Sequence, residues 1–209
     1  MKFKIFSRLF GLFPAVPTRA RNDIIFLFLL SVVILRTLFS QGVPYTHDGH
    51  NHLARIANLY LAIRDQHFPP RWARNLNYKF GYPVFNFNYY FPFVLTVPFF
   101  LISFSIEFAW KAVIFLSFFS GGVFIYLFLK RFFNRWASLT GAVFYVLAPY
   151  QMVNIFVRGM TGEITAFGIL PLILLSLDSF IRKRTVKRFI FISFLIATFF
   201  LTHNIIVLI

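Results

Sequence analysis

Six apolar runs, at about 24–40, 88–104, 108–129, 136–155, 164–181 and 189–209, fill most of this 209-residue chain. A membrane-spanning helix needs about 20 mostly apolar residues, and most of these runs approach that length. A soluble domain is about 45–50% apolar and about 25% charged. Here 59% of residues are hydrophobic and 13% are charged, with a mean hydropathy of +0.74. Such a chain cannot cover itself with polar surface, and it is too apolar for disorder. The reading is an all-α polytopic transmembrane helix bundle whose first partner is the lipid bilayer.

The formal charge of +15 does not indicate nucleic acid, because the basic residues punctuate the apolar runs instead of forming one stripe. In a membrane protein that pattern reports cytoplasmic loops and lipid headgroups. Cysteine is absent, so there is no disulfide framework and no thiolate chemistry. Residues 1–23 read as a basic cytoplasmic N-terminus and 24–209 as the membrane domain. No small-residue cleavage pattern follows the run at 24–40, so it reads as a retained span. The chain stops inside an apolar run, which suggests a fragment of a longer multispan protein.

Orientation follows from Lys and Arg in short loops. Lys2, Lys4, Arg8, Arg19 and Arg21 precede the first run. Lys130, Arg131 and Arg135 follow the third, and Arg182, Lys183, Arg184, Lys187 and Arg188 follow the fifth. All three stretches belong inside, in what reads as a bacterial cytoplasmic membrane with the N-terminus inside. If every run crossed, the second and third stretches would fall outside. One run therefore does not cross. The choice is 84–104, where Pro92 and Pro98 interrupt a hydrogen-bond ladder that lipid does not replace.

This topology puts three polar clusters on one outer face: the long first external loop at about 41–87, the Arg158–Glu163 loop, and Thr202-His203-Asn204. Within the external loop, Leu53, Ile56, Ala57, Tyr60 and Ile63 recur at helical spacing, with His52, Arg55 and Asn58 mostly away from them. That pattern predicts an amphipathic interfacial helix. Asp48 precedes it, among His47, His50 and His52. It reads either as a cap on the free helix N–H groups or as a general base or metal ligand. Two histidines only two positions apart give little support for zinc. Arg71, in Phe68-Pro69-Pro70-Arg71-Trp72, reads either as an interface anchor or as a phosphate ligand. Glu163, beside Arg158 and two glycines, reads either as a residue favoured at a helix start or as half of an anion or metal site. His203 reads as a helix-to-helix hydrogen-bonding group or as the lining of a cavity.

Taken together, these segments resemble a known family. They are His47-Asp48 with His52-Leu53-Ala54-Arg55, then Phe68–Trp72, then Gly81-Tyr82-Pro83-Val84-Phe85. Ala148-Pro149-Tyr150, Arg158-Gly159 with Glu163, Leu170-Pro171-Leu172 and His203-Asn204 follow. The chain resembles multispan membrane proteins of the GT-C glycosyltransferase architecture. It is most similar to the bacterial group labelled as membrane proteins related to 6-pyruvoyl-tetrahydropterin synthase. The zinc histidines and pterin chemistry of the soluble synthase are not implied here.

The resemblance implies transfer of a sugar from a polyprenyl-phosphate carrier to an acceptor at the outer face. It implies Asp48 as the catalytic base, or as a ligand of a divalent metal such as Mg or Mn, with Glu163 as a second carboxylate in a base or metal role. His47, His52, Arg55, Arg71, Arg158 and His203 are then the substrate and phosphate ligands. Two other functions fit the same composition: a transporter or flippase of a lipid-linked anion, and a non-catalytic membrane scaffold.

Overall fold

The computed structural model describes residues 18–203. The basic residues Lys2, Lys4 and Arg8, the side chain of Arg19, and Asn204 lie outside the described residues. The described residues are helical apart from loops and one isolated backbone pair between Ala73 and Tyr82. The helices are α1 (Thr18–Ile34), α2 (Gly49–Arg64), α3 (Val84–Phe87), α4 (Phe91–Val94), α5 (Val97–Ser103), α6 (Ile106–Leu129), α7 (Arg135–Val146), α8 (Pro149–Val153), α9 (Thr161–Arg182) and α10 (Val186–Phe200). A 3₁₀ turn, Arg36–Phe39, follows α1, and a π-helical turn, Asn154–Arg158, follows α8.

Several helix starts were set by the local sequence. Ser105, Asn134 and Thr185 each stand in extended backbone, and each side-chain oxygen accepts an N–H of the first turn, as N-cap residues do. Three stretches among the described residues are long and apolar enough to cross a membrane: Ile106–Leu129, Arg135–Arg158 and Thr161–Arg182.

The tertiary contacts give the direction of each helix. Asp23 in α1 meets Tyr126 and Arg135, while Ser40 and Gly42 beyond α1 accept from Lys111 Nζ at 2.8 and 2.7 Å. So α1 and α6 are antiparallel. Trp110 Nε1 donates to Thr161 Oγ1 at 2.8 Å near one end of the bundle, and Arg131 pairs with Asp178 near the other. So α6 and α9 are parallel. The α7–α8 stretch returns against them, with Tyr145 Oη donating to the Phe167 carbonyl at 2.7 Å. Finally, α10 returns along α9, from the Phe180–Phe189 ring contact to His203 beside Glu163.

The close approach of α6 and α9 rests on small residues. A Cβ on Gly168 would lie 2.7 Å from the Ser117 carbonyl oxygen, and one on Gly121 would lie 3.1 Å from that of Phe167. Where lipid is as apolar as leucine, packing of this kind replaces the hydrophobic effect as the force between helices.

These directions gather Arg131, Arg135, Arg182 and Arg188 at one end of the bundle. The 41–87 loop, the 158–163 loop and His203 lie at the other. Both ends of the 84–104 segment belong to this second, polar end. Phe91 N–H donates to the Leu201 carbonyl at 3.2 Å, and Ser105 opens α6. The segment is broken into α3, α4 and α5, with Pro92 and Pro98 in the first turns of α4 and α5. The chain therefore returns to the end it left, which restores the parity that the basic loops demand.

A single cysteine at His47 or Lys79 is accordingly expected to react with an impermeant thiol reagent from the membrane side opposite to one at Asn134 or Arg184. All four positions are exposed, and the native chain supplies no background thiol. Labelling of 47 and 134 from the same side would contradict this arrangement.

Helix α2 departs from the simple amphipathic reading. His52 and Asn58, expected on its polar side, are buried, at 1% and 5% exposure. The reason is a second layer. The Phe93 ring centroid lies 5.5 Å from that of His52, and Asn58 Oδ1 accepts from Asn75 N–H at 3.0 Å. Thus α2 is covered by α4 on one side and by its own following loop on another.

Candidate functional site

At the polar end, residues 46–49 and 157–159 are joined through their backbones. His47 N–H donates to the Val157 carbonyl at 3.0 Å, and Asp48 N–H to the Arg158 carbonyl at 2.9 Å. Gly159 makes the approach possible. Its φ is +69°, and a Cβ there would lie 2.3 Å from Thr46 Oγ1, so only glycine fits.

Asp48 occupies the N-cap position of α2, yet its side chain caps nothing. Its backbone, at φ −112° and ψ −6°, is helical, whereas a capping side chain needs extended backbone. Thr46 takes that role, accepting from Gly49 N–H at 3.2 Å. This corrects the capping reading of Asp48. Its half-buried carboxylate makes no hydrogen bond or ion pair among the described residues.

Glu163 is in the opposite condition. It is 4% exposed at the start of α9. Oε2 accepts from Tyr150 Oη at 2.6 Å and from Arg158 Nη1 at 2.9 Å, and Oε1 accepts from Arg158 Nη2 at 2.9 Å. His203 Nε2 stands 3.6 Å from Oε1. Arg158 Nη1 also donates to Asn154 Oδ1 at 2.7 Å. A carboxylate gripped by both arms of a guanidinium is a poor base and a good anchor.

Tyr89 lies between these groups. It is 6% exposed, its ring lies 5.1 Å from that of His203 and 6.3 Å from that of His52, and it feels the charges of Arg55, Asp48 and Glu163. Burial pushes its hydroxyl up to about 12, so it stays protonated. Arg55, half-buried, makes no hydrogen bond or ion pair among the described residues.

The structure therefore brings Asp48, His52, Arg55, Arg158, Glu163 and His203 into one neighbourhood, with His47 on its exposed rim. It does not bring Arg71 there. Arg71 lines a separate recess with Leu61 and Asp65, near the C-terminal end of α2. Its lining on α2 begins at Asn58; at 1.5 Å per residue, the nine residues from Gly49 put its near edge roughly 14 Å along the helix. Tyr89, Tyr150 and Asn154 belong to the site but were not assigned to it from sequence. Asn154 was within reach of such reasoning, since it stands four residues before Arg158 on one helical face. Tyr89 carried no such signal, because its place depends on how the broken 84–104 segment folds back.

His52 has an acid consequence. Neither ring nitrogen has a hydrogen-bond partner, and burial, with help from Arg55 and His203, pushes its pKa down to about 3 from 6.5. The unfolded chain takes up this proton first as pH falls. The native state thus keeps its full stability above about pH 6.5 and loses it progressively toward pH 3. His52→Phe is expected to move the acid-unfolding midpoint to lower pH, read by tryptophan fluorescence in detergent. An unchanged or raised midpoint would contradict the burial of a neutral imidazole.

The donor set does not fit a hard divalent cation. Among the described residues no three His, Asp or Glu side chains form a metal-holding group. Both Glu163 oxygens already serve Arg158, whereas magnesium or manganese prefers several oxygen ligands, carboxylates and water foremost.

A family model described as a 6-pyruvoyl-tetrahydropterin synthase-related domain, a membrane protein, matches residues 87–209. The match takes in most of the 84–104 segment, Tyr150, Arg158, Glu163 and His203, and begins after Asp48, Arg55 and Arg71. No curated protein and no solved structure matches the chain.

Proposed function

Because this chain belongs to the 6-pyruvoyl-tetrahydropterin synthase-related family of membrane proteins, its chemistry is to be sought on a membrane-borne polar face, and we propose that this face transfers a sugar from a polyprenyl-phosphate-linked donor to an acceptor hydroxyl. The observation that carries the reading is the Asp48 carboxylate. It is half-buried, caps no helix and makes no ion pair among the described residues, and its backbone is tied to the loop that bears Arg158.

In the reaction, the acceptor O–H gives its proton to Asp48 as its oxygen bonds to the anomeric carbon. The anomeric C–O bond to phosphate breaks, and the polyprenyl phosphate leaves with that electron pair. General-base assistance of this kind contributes about 10²–10⁴-fold. The departing phosphate gains negative charge, which a preplaced cation stabilises. Arg55 is the uncommitted cation beside Asp48. Arg158 is largely neutralised by Glu163, so Glu163 serves as a positioning residue that fixes Arg158 and, through it, the Asp48 backbone.

The test is a membrane preparation containing the chain, supplied with radiolabelled polyprenyl-phosphate hexose. Release of free polyprenyl phosphate with label passing to another molecule is expected. Intact donor recovered on the other side of the membrane would overturn transfer in favour of translocation.

A further inference from the structure

The recess that holds Arg71 is a built feature with its own chemistry. It encloses about 570 Å³, within the range of small-molecule sites. Its floor is the C-terminal part of α2, and its wall is the loop at 66–74. The wall is pinned at three points. Asn75 N–H donates to Asn58 Oδ1 at 3.0 Å, Ala73 and Tyr82 exchange backbone hydrogen bonds of 2.8 and 3.1 Å, and Gly81 lies so close to the Trp72 indole that a Cβ would stand 2.1 Å from Nε1.

The charges are unevenly used. Asp65 is engaged by Arg74 at 2.6 Å and by Arg64 at 3.5 Å, one on each carboxylate oxygen. Arg71 is exposed and makes no hydrogen bond or ion pair among the described residues. The local balance is thus three guanidinium groups against one carboxylate, with Arg71 in surplus. Beside it stand the half-exposed rings of Trp72, at 53%, and Phe68, at 59%. A guanidinium that offers two parallel N–H groups, next to an apolar ring face, matches a phosphate joined to a larger group.

We propose that this recess is a second ligand site, which binds a phosphate-bearing molecule with its phosphate on Arg71 and the attached group against Trp72 and Phe68. Its lining contains none of Asp48, Arg55, Arg158 and Glu163, so it stands as a site of its own and does not depend on the transfer reading. Two sources supply this chemistry: a soluble sugar phosphate and an anionic lipid headgroup.

The chain in phosphatidylcholine nanodiscs is titrated with radiolabelled glucose 1-phosphate. In a second arm the nanodiscs contain phosphatidylglycerol, and native mass spectrometry counts the anionic lipid retained. Saturable binding in at least one arm is expected, lowered about tenfold or more by Arg71→Ala, which matches the loss of one charge-assisted contact, and lowered less by Arg71→Lys. Arg71 is exposed, so the variant is expected to melt as the wild type does. Binding in the first arm identifies a soluble ligand, and binding in the second a headgroup. Asp48→Asn is expected to bind as the wild type even where it abolishes transfer, so each reading fails on its own measurement. Equal binding by wild type and Arg71→Ala, or none in either arm, would overturn the site.

Discussion

Asp48→Asn is expected to lower sugar transfer by about 10²–10⁴-fold, the range a positioned general base contributes, and to leave thermal stability nearly unchanged. The two halves of this expectation come from the same geometry. The carboxylate caps no helix and pairs with no cation, so an isosteric amide removes no native contact. Thr46 still holds the start of α2, and the Asp48 backbone still donates to Arg158. What the amide removes is the capacity to accept a proton. Donor turnover and a melting curve, measured on the same preparation, separate the two effects. Wild-type turnover in the variant would remove Asp48 from the mechanism. A large loss of stability would show a structural role that the geometry lacks.

Glu163→Ala is expected to act the other way round, through the fold first. Removing one partner of a buried ion pair costs about 3–5 kcal/mol when the other stays buried. Arg158 keeps 32% of its side chain exposed, so water relieves part of that penalty, and a loss of about 2 kcal/mol is the better expectation. Tyr150 loses the acceptor of its hydroxyl as well. The double replacement of Arg158 by Met and Glu163 by Leu exchanges the pair for apolar bulk and is expected to recover much of the stability. It is not expected to recover transfer, because the buried ion pair no longer fixes the 157–159 loop that holds the Asp48 backbone. Unfolding of Glu163→Ala indistinguishable from wild type would refute the anchoring role. Recovery of transfer in the double variant would refute the need for Arg158.

The bundle itself was legible in the chain. Long apolar runs and the basic residues of the 130–135 and 182–188 loops are local signals, and the structure places long apolar helices and these loops accordingly. Pro92 and Pro98 marked the segment that turns back, since each lacks an N–H and opens a short helix instead of continuing one. The functional face was legible only in outline. The His47–Arg55 stretch, the Arg158–Glu163 loop and His203 converge as expected, yet their chemical states could not be read. Glu163 and Asp48 look alike as isolated acids near helix starts. One is saturated by Arg158 and Tyr150, five and 13 residues before it, while the fold brings no hydrogen-bond or ion-pair partner to the other among the described residues.

Sequence alone determined that this chain is an all-α membrane protein with basic residues between its long apolar runs. Those properties follow from composition and from interactions within a few residues along the chain. The tertiary structure alone decided that Thr46 rather than Asp48 caps α2, that the His52 ring is buried with no hydrogen bond to its nitrogens among the described residues, and that Arg71 lines its own recess. Each of these depends on contacts between segments distant in sequence, and no local pattern records which partner a side chain will meet once the helices have packed.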